Sequence, residues 1–205
     1  MRIAKGCFAL VISPVFITFI FLFLTIYINT LFLIVFILFF IITISFLIFF
    51  RDPHRKIGNG IVSPADGKIR DIKINNKICF ISIFMAINNV HVNRIPIDGT
   101  ILDIKHIPGK HFRAWTKESD LNERVVININ SNIGKIKVVQ IAGLIARRIY
   151  PYINKGDLLK KGDKIGIIRF GSRVDVYLPA KDIKNISVDR QSTVYAGITT
   201  IAEIK

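Results

Sequence analysis

The chain has two hydropathy regimes that meet at residue 50. From Cys7 to Phe50 runs a stretch of 44 residues without one charged side chain. Beyond it, apolar positions come in short runs separated by polar residues, Gly and Pro. A membrane helix needs about 20 apolar residues at about 1.5 Å rise each. One helix over the whole stretch would reach about 66 Å, roughly twice the hydrocarbon thickness of a bilayer. Two spans fit better, near 8–28 and 31–50, with a turn at Asn29-Thr30. A secretory signal is a poor match, because its apolar region runs to about 7–15 residues and ends at a small-residue cleavage site.

The downstream pattern predicts strands. Short β-branched runs lie at 61–62, 68–74, 78–85, 99–105, 125–130, 135–141, 164–170 and 174–177, punctuated by Gly, Pro, Asn and Asp. One window, 112–122, has helical character. Short strands at close spacing predict a mainly β domain, an antiparallel barrel or sandwich. Lys-Gly-Asp occurs twice, at 155–157 and 161–163, and each Gly-Asp supplies turn chemistry. That hairpin grammar resembles the barrel-sandwich hybrids that carry lipoyl or biotin. The lysine-bearing hairpin tip of those carriers is not evident here.

Charge assigns the two regimes to different surroundings. The chain of 205 residues has 29 Lys plus Arg against 14 Asp plus Glu. All 14 acids and 27 of the basic residues follow residue 50, so 51–205 carries a net +13. Composition excludes a fully soluble protein, a disulfide scaffold and a disordered chain. Arg2 and Lys5 precede the apolar stretch, and Arg51, Arg55 and Lys56 follow it. Basic flanks prefer the cytoplasmic side, so a hairpin predicts an inner-membrane protein with 51–205 in the cytoplasm. The positive charge suits an anionic phospholipid surface, at about 1 kcal/mol per basic residue near it. Nucleic acid is not expected, since the basic residues are scattered and no recognised motif is present. A chain rich in Ile, Asn and Lys also carries some of this charge by composition alone. Only Cys7 and Cys79 are present, so a structural disulfide is not expected. No Cys/His cluster or carboxylate pair has metal-ligand spacing, so no metal is expected.

Five motifs hold the candidate chemistry: Phe50-Arg51-Asp52-Pro53, Ser63-Pro64-Ala65-Asp66-Gly67, His91-Val92-Asn93-Arg94-Ile95-Pro96, Gly143-Leu144-Ile145-Ala146-Arg147-Arg148-Ile149, and Phe170-Gly171-Ser172-Arg173-Val174-Asp175. Singly, each has an ordinary reading as a turn, a strand end or a solvated pair. In order, and with Asn122-Glu123-Arg124 between them, they resemble the phosphatidylserine decarboxylase proenzymes. The likeness is to the short membrane-hairpin form of bacteria and archaea, and it runs from Phe50 to Pro179.

That resemblance implies a covalent pyruvoyl cofactor made from Ser172. Ser172 would attack the Gly171 carbonyl, and β-elimination and hydrolysis would leave the pyruvoyl group at a new N-terminus. The products would be a large chain, 1–171, and a small chain, 172–205, that stay associated. The pyruvoyl ketone would then form a Schiff base with the substrate amine and act as an electron sink. The resemblance assigns Asp66 to self-cleavage and His91 to substrate contact or proton delivery. It also implies a homodimer. Longer family members have a second His where this chain has Arg94, so their Asp-His-Ser triad does not carry over. Arg94, Arg147 and Arg148 are candidate contacts for the substrate phosphate. Phe84 and Met85 are candidates to line the acyl-chain approach. Two alternatives stay open: a membrane-tethered, non-enzymatic hybrid-barrel module, and archaetidylserine as the substrate.

Overall fold

A computed structural model describes residues 2–110, 112, 117–143, 148–169 and 172–205. The chain forms two compact units, Met1–Pro53 and His54–Lys205. The first is a pair of apolar helices, α1 (Phe8–Tyr27) and α2 (Leu33–Phe49). Its ends are tied by a two-residue pairing of β1 (Arg2–Ile3) with β2 (Arg51–Asp52). The turn sits where the sequence predicts it: Asn29 Oδ1 accepts the Leu31 N–H at 2.8 Å and opens a 3-10 turn, Thr30–Phe32.

Both helices are apolar on all sides, so their few hydroxyls must bond internally. Thr18 donates to the Pro14 carbonyl at 2.7 Å and lies 3.0 Å from Thr43 of the other helix. Phe21 stacks on Phe39 at 5.7 Å between ring centres. Segments of 20 residues, Phe8–Tyr27 and Thr30–Phe49, are long and apolar enough to cross a membrane.

Among its described residues the second unit is mainly β structure, as the short β-branched runs predict. Its strands are β3 (Ile61–Val62), β4 (Gly67–Ile74), β5 (Ile78–Met85), β6 (Val92–Arg94), β7 (Gly99–Ile107), β8 (Arg124–Ser131) and β9 (Gly134–Ala142). Then follow β10 (Ile149–Pro151), β11 (Leu158–Leu159), β12 (Lys164–Ile168), β13 (Ser172–Pro179), β14 (Ile183–Ile186), β15 (Thr193–Val194) and β16 (Thr200–Ile204). The main sheet has eight strands in the order β11-β7-β8-β9-β13-β5-β4-β15. Two three-stranded sheets, β10-β12-β6 and β14-β16-β3, complete it. Every pairing of these strands is antiparallel.

The core is mostly Ile and Val, including Ile81, Ile83, Ile127, Ile129, Val138, Ile165, Val174 and Val176. β-Branched side chains fill a pleated, two-sided interior well. Of the window expected to be helical, 112–122, residues 113–116 lie outside the described residues. Its described part holds only a short 3-10 helix, Lys117–Leu121. Asn122 explains the stop: its side-chain amide bonds both the N–H and the carbonyl of Phe112, at 2.6 and 2.7 Å, and the Ala142 carbonyl at 2.8 Å. An amide side chain that saturates distant backbone groups competes with a helix for them.

Candidate active site

Ser172 opens β13, the fifth of the eight strands. It stands between Met85 of β5 and Ala142 of β9. Successive side chains of a strand alternate between faces. Ser172 therefore points inward with Val174, Val176 and Leu178, all fully or almost fully buried. Its hydroxyl donates to the Met85 sulfur at 3.2 Å. A thioether is a weak acceptor and no base, so the oxygen keeps its lone pairs. Gly171 lies outside the described residues.

Two segments hydrogen-bond the end of β12, the strand that precedes Ser172 in the sequence. The Ile168 N–H donates to the His91 carbonyl at 3.3 Å, and the Arg169 N–H to the Arg148 carbonyl at 3.4 Å. Thus the His91 and Arg148 segments are hydrogen-bonded at the end of β12, to Ile168 and Arg169. His91 is fully buried, and its Nδ1 lies 2.9 Å from the Asn89 carbonyl. A carbonyl only accepts, so Nδ1 carries the proton. In the neutral ring Nε2 is then the basic nitrogen. Arg148 is exposed. Arg147 lies outside the described residues.

The Ser63–Gly67 turn is a junction. The Arg94 N–H donates to the Pro64 carbonyl at 2.9 Å, which docks the His91–Pro96 segment against the turn. The Ser63 N–H donates to Thr199, and the Gly197 N–H to Ser63, both at 2.8 Å. Asp66 is buried. Its carboxylate accepts from the Arg55 guanidinium at 2.8 Å and from the Ala196 N–H at 2.8 Å. The structure therefore spends this carboxylate on Arg55 and Ala196 and leaves it without a hydrogen bond to Ser172 or His91. Gly67 is a required glycine: at φ +155° it lies against the Phe84 carbonyl, where a Cβ would sit 2.0 Å away.

The remaining candidates divide. Met85 is fully buried at Ser172. Phe84, next to it, points to the opposite face of the sheet and lines a cavity with Lys68, Arg70 and Gln191. Arg94 is buried, and its Nη1 donates to the Gly162 carbonyl at 2.7 Å.

On that opposite face, Arg173 is also buried. It bonds Asp175 at 3.0 Å, Ser119 at 2.7 Å and Asp120 at 2.5 Å. Asp175 also accepts from the Ser82 hydroxyl at 2.7 Å. Burial pushes the Asp175 carboxyl above the usual carboxylate range, although Arg173 and Ser82 pull it back. Arg173, Asp175, Lys137 and Tyr177 line a cavity of about 700 Å³.

Three polar residues near these motifs escape a motif-based reading. Arg55 looks like a membrane flank but neutralises Asp66. Asn93 and Gln140 are fully buried, and Gln140 Nε2 donates to Asn93 Oδ1 at 2.8 Å. The signal for Gln140 is its phase: Ile136, Val138 and Gln140 share one face of β9, so an amide stands in an apolar row.

Comparison with known proteins gives first the class and then the family. The chain is 47% identical over 157 residues to the phosphatidylserine decarboxylase proenzyme of Streptomyces avermitilis, covering 76% of this chain and 72% of the relative. It is 48% identical over 167 residues to the putative archaetidylserine decarboxylase proenzyme of Methanosarcina mazei, covering 80% and 77%. The phosphatidylserine decarboxylase proenzyme of Ehrlichia canis is 48% identical over 172 residues, covering 78% and 75%. These relatives are decarboxylases, and so is this chain. The profile described as "Phosphatidylserine decarboxylase" matches residues 42–202, and the chain belongs to that family, as its ordered motifs predict.

Proposed function

We propose that the chain is a proenzyme that cuts itself between Gly171 and Ser172, converts Ser172 into a pyruvoyl group, and decarboxylates phosphatidylserine to phosphatidylethanolamine and CO2. The observation that carries this reading is a wholly buried serine at the head of a central strand, its hydroxyl held, among the described residues, by a thioether. A hydroxyl on a weak acceptor, away from water, keeps its oxygen available as a nucleophile.

In the first step Ser172 Oγ bonds to the Gly171 carbonyl carbon and the Gly171–Ser172 amide bond breaks, leaving an ester and an amine. Loss of the Ser172 α-proton then expels the Gly171 carboxylate. Water hydrolyses the resulting imine, releases ammonia and leaves the ketone. Ala142 and Met85 suit that product, since both present apolar surface to a group that ends in a methyl. The ketone supplies the chemistry of turnover: it condenses with the substrate amine as a Schiff base and takes up the electron pair left when CO2 departs.

Residue roles follow from position. His91, whose carbonyl accepts the Ile168 N–H and whose basic nitrogen is Nε2, moves the proton in this reading. Asp66 acts as a positioning residue, tying its turn to Arg55 and to Ala196 of the small chain. Arg148 meets the lipid phosphate from the exposed side. Arg94 supports the His91 segment through Gly162. The cut chains stay together because β13 is hydrogen-bonded on both edges, and β15 and β16 pair with β4 and β3. The helices anchor the enzyme in the inner membrane with the β unit in the cytoplasm, consistent with basic residues at both flanks.

The test is CO2 release from vesicles by the full chain in detergent. Wild type should turn over phosphatidylserine, and Ser172→Ala should fall to the uncatalysed background. Turnover by Ser172→Ala would refute the reading. A parallel assay with archaetidylserine decides the lipid backbone, because both serine lipids present the same headgroup and relatives named for each are about equally similar.

A further inference from the structure

Beneath Ser172 lies a polar chain that the steps above do not use. We propose that Asn93 and Gln140 are positioning residues for self-cleavage, acting on Ser172 through Met85. The inference rests on the Ser172 reading just given and adds two residues and a mechanism to it.

The contacts run in one line. Ser172 donates to Met85 Sδ at 3.2 Å, Asn93 Nδ2 donates to the same sulfur at 3.6 Å, and Gln140 Nε2 donates to Asn93 Oδ1 at 2.8 Å. All four residues are fully buried. They come from four strands, β13, β5, β6 and β9, so the line crosses from the main sheet to the smaller sheet facing it.

The arrangement carries costs that packing alone does not explain. A buried amide is unfavourable unless its groups are paired, and Gln140 Oε1 has no hydrogen-bond partner among the described residues. Room for the amide is also specific. A Cβ on Gly166 would stand 3.1 Å from Gln140 Nε2 and 2.7 Å from the Tyr150 carbonyl. Leu at positions 93 and 140 would fill the same space without an orphaned acceptor.

The chemistry suggests what the cost secures. Gln140 fixes the Asn93 amide so that its N–H groups face the sulfur. Asn93 then fixes the sulfur, and the sulfur fixes the serine rotamer without removing electron density from its oxygen. A carboxylate or carbonyl in place of Met85 would bind the hydroxyl more tightly. It would then be stranded once the hydroxyl is replaced by a methyl. A thioether serves both states, as a weak acceptor before cleavage and an apolar contact after it. Neither amide touches the reacting atoms, so both act by position.

The test follows the uncut full chain in cell-free synthesis with detergent, reading the two fragments by denaturing electrophoresis and the melting midpoint of uncut Ser172→Ala backgrounds. The double variant Asn93→Leu/Gln140→Leu removes both amides together, which tends to preserve or raise stability. We expect its midpoint to hold and its cleavage to slow at least tenfold. Met85→Leu, close in size and lacking the acceptor, should slow cleavage similarly. Asn93→Gln/Gln140→Asn, which keeps two amides, should recover part of the rate. Wild-type cleavage rates in the double variant and in Met85→Leu would overturn the inference and leave the Ser172 reading intact. If wild type itself stays uncut, both fall together.

Discussion

The two faces of β13 solve opposite problems with alternate residues of one strand. The inner row is Ser172, Val174, Val176 and Leu178, set against Met85, Ile83, Ile81 and Cys79 of β5. It holds no charge. The outer row is Arg173, Asp175 and Tyr177, beside Ser82 and Phe80. It buries charge but compensates it, with Arg173 bonded to two carboxylates and a hydroxyl. In the reading proposed above, the contrast is what isolates the nucleophile. A serine among charges would be held by them, whereas on the apolar row its hydroxyl meets, among the described residues, the Met85 sulfur. The charges stand one residue away, behind the sheet, where they fix the strand.

The contrast can be broken from either side. The largest effect should come from charging the inner row. Val174→Asp places a carboxylate where nothing pairs it, and the chain should either fail to fold or lose several kcal/mol. A denaturation midpoint in detergent close to wild type would show that the inner face is not dry. Next comes removal of compensation on the outer row. Arg173→Leu leaves Asp175 buried beside Ser82 alone, at a cost of about 3–5 kcal/mol. Adding Asp175→Asn should restore most of that, and a double variant no better than the single would contradict the pairing.

A subtler effect is pH dependence. The folded Asp175 carboxyl titrates above its ordinary value of 3.8, chiefly through burial. Its contribution is therefore fully present below the unfolded pKa and is lost as pH rises through the folded one. Wild-type stability minus that of Asp175→Asn should fall over that window and level off above it, at about 1.4 kcal/mol per unit of displacement. A difference that rises with pH would reverse the sign of the burial argument. The smallest effect belongs to Lys137, whose ammonium sits 3.9 Å from the Tyr177 ring centre at the outer edge. Lys137→Gln should cost under about 1 kcal/mol, and a larger loss would mean the cavity is held by that contact.

Much of this was legible in the sequence, for identifiable reasons. The uncharged stretch marked the hairpin because every residue in it had to suit one solvent. The strands 78–85 and 135–141 were visible because β-branched runs and turn residues are local signals. Strands β6, β10, β11, β14, β15 and β16 were not, since they are short and their pairing is set by distant segments. Of the window 112–122, residues 113–116 lie outside the described residues, and Asn122 at its end bonds Phe112 and Ala142, the second a partner 20 residues away.

At the site, Ser172, His91 and Asp66 were marked by motif order, while their partners were not. Arg55 was hidden by its second identity as a membrane flank. Asn93 stood inside a quoted motif without a role, and Gln140 was detectable only by its phase in an apolar row. Asp175 lies three residues from Ser172, an odd spacing that sends it to the other face.

The central claim is that Ser172 is both the nucleophile and the source of the cofactor. Intact-mass measurement of the purified full-length protein tests it most directly. The account predicts two chains, 1–171 and 172–205, the smaller blocked at its N-terminus by a group with the mass of pyruvoyl in place of serine. A single chain of 205 residues in a preparation that releases CO2 from a serine lipid would contradict it.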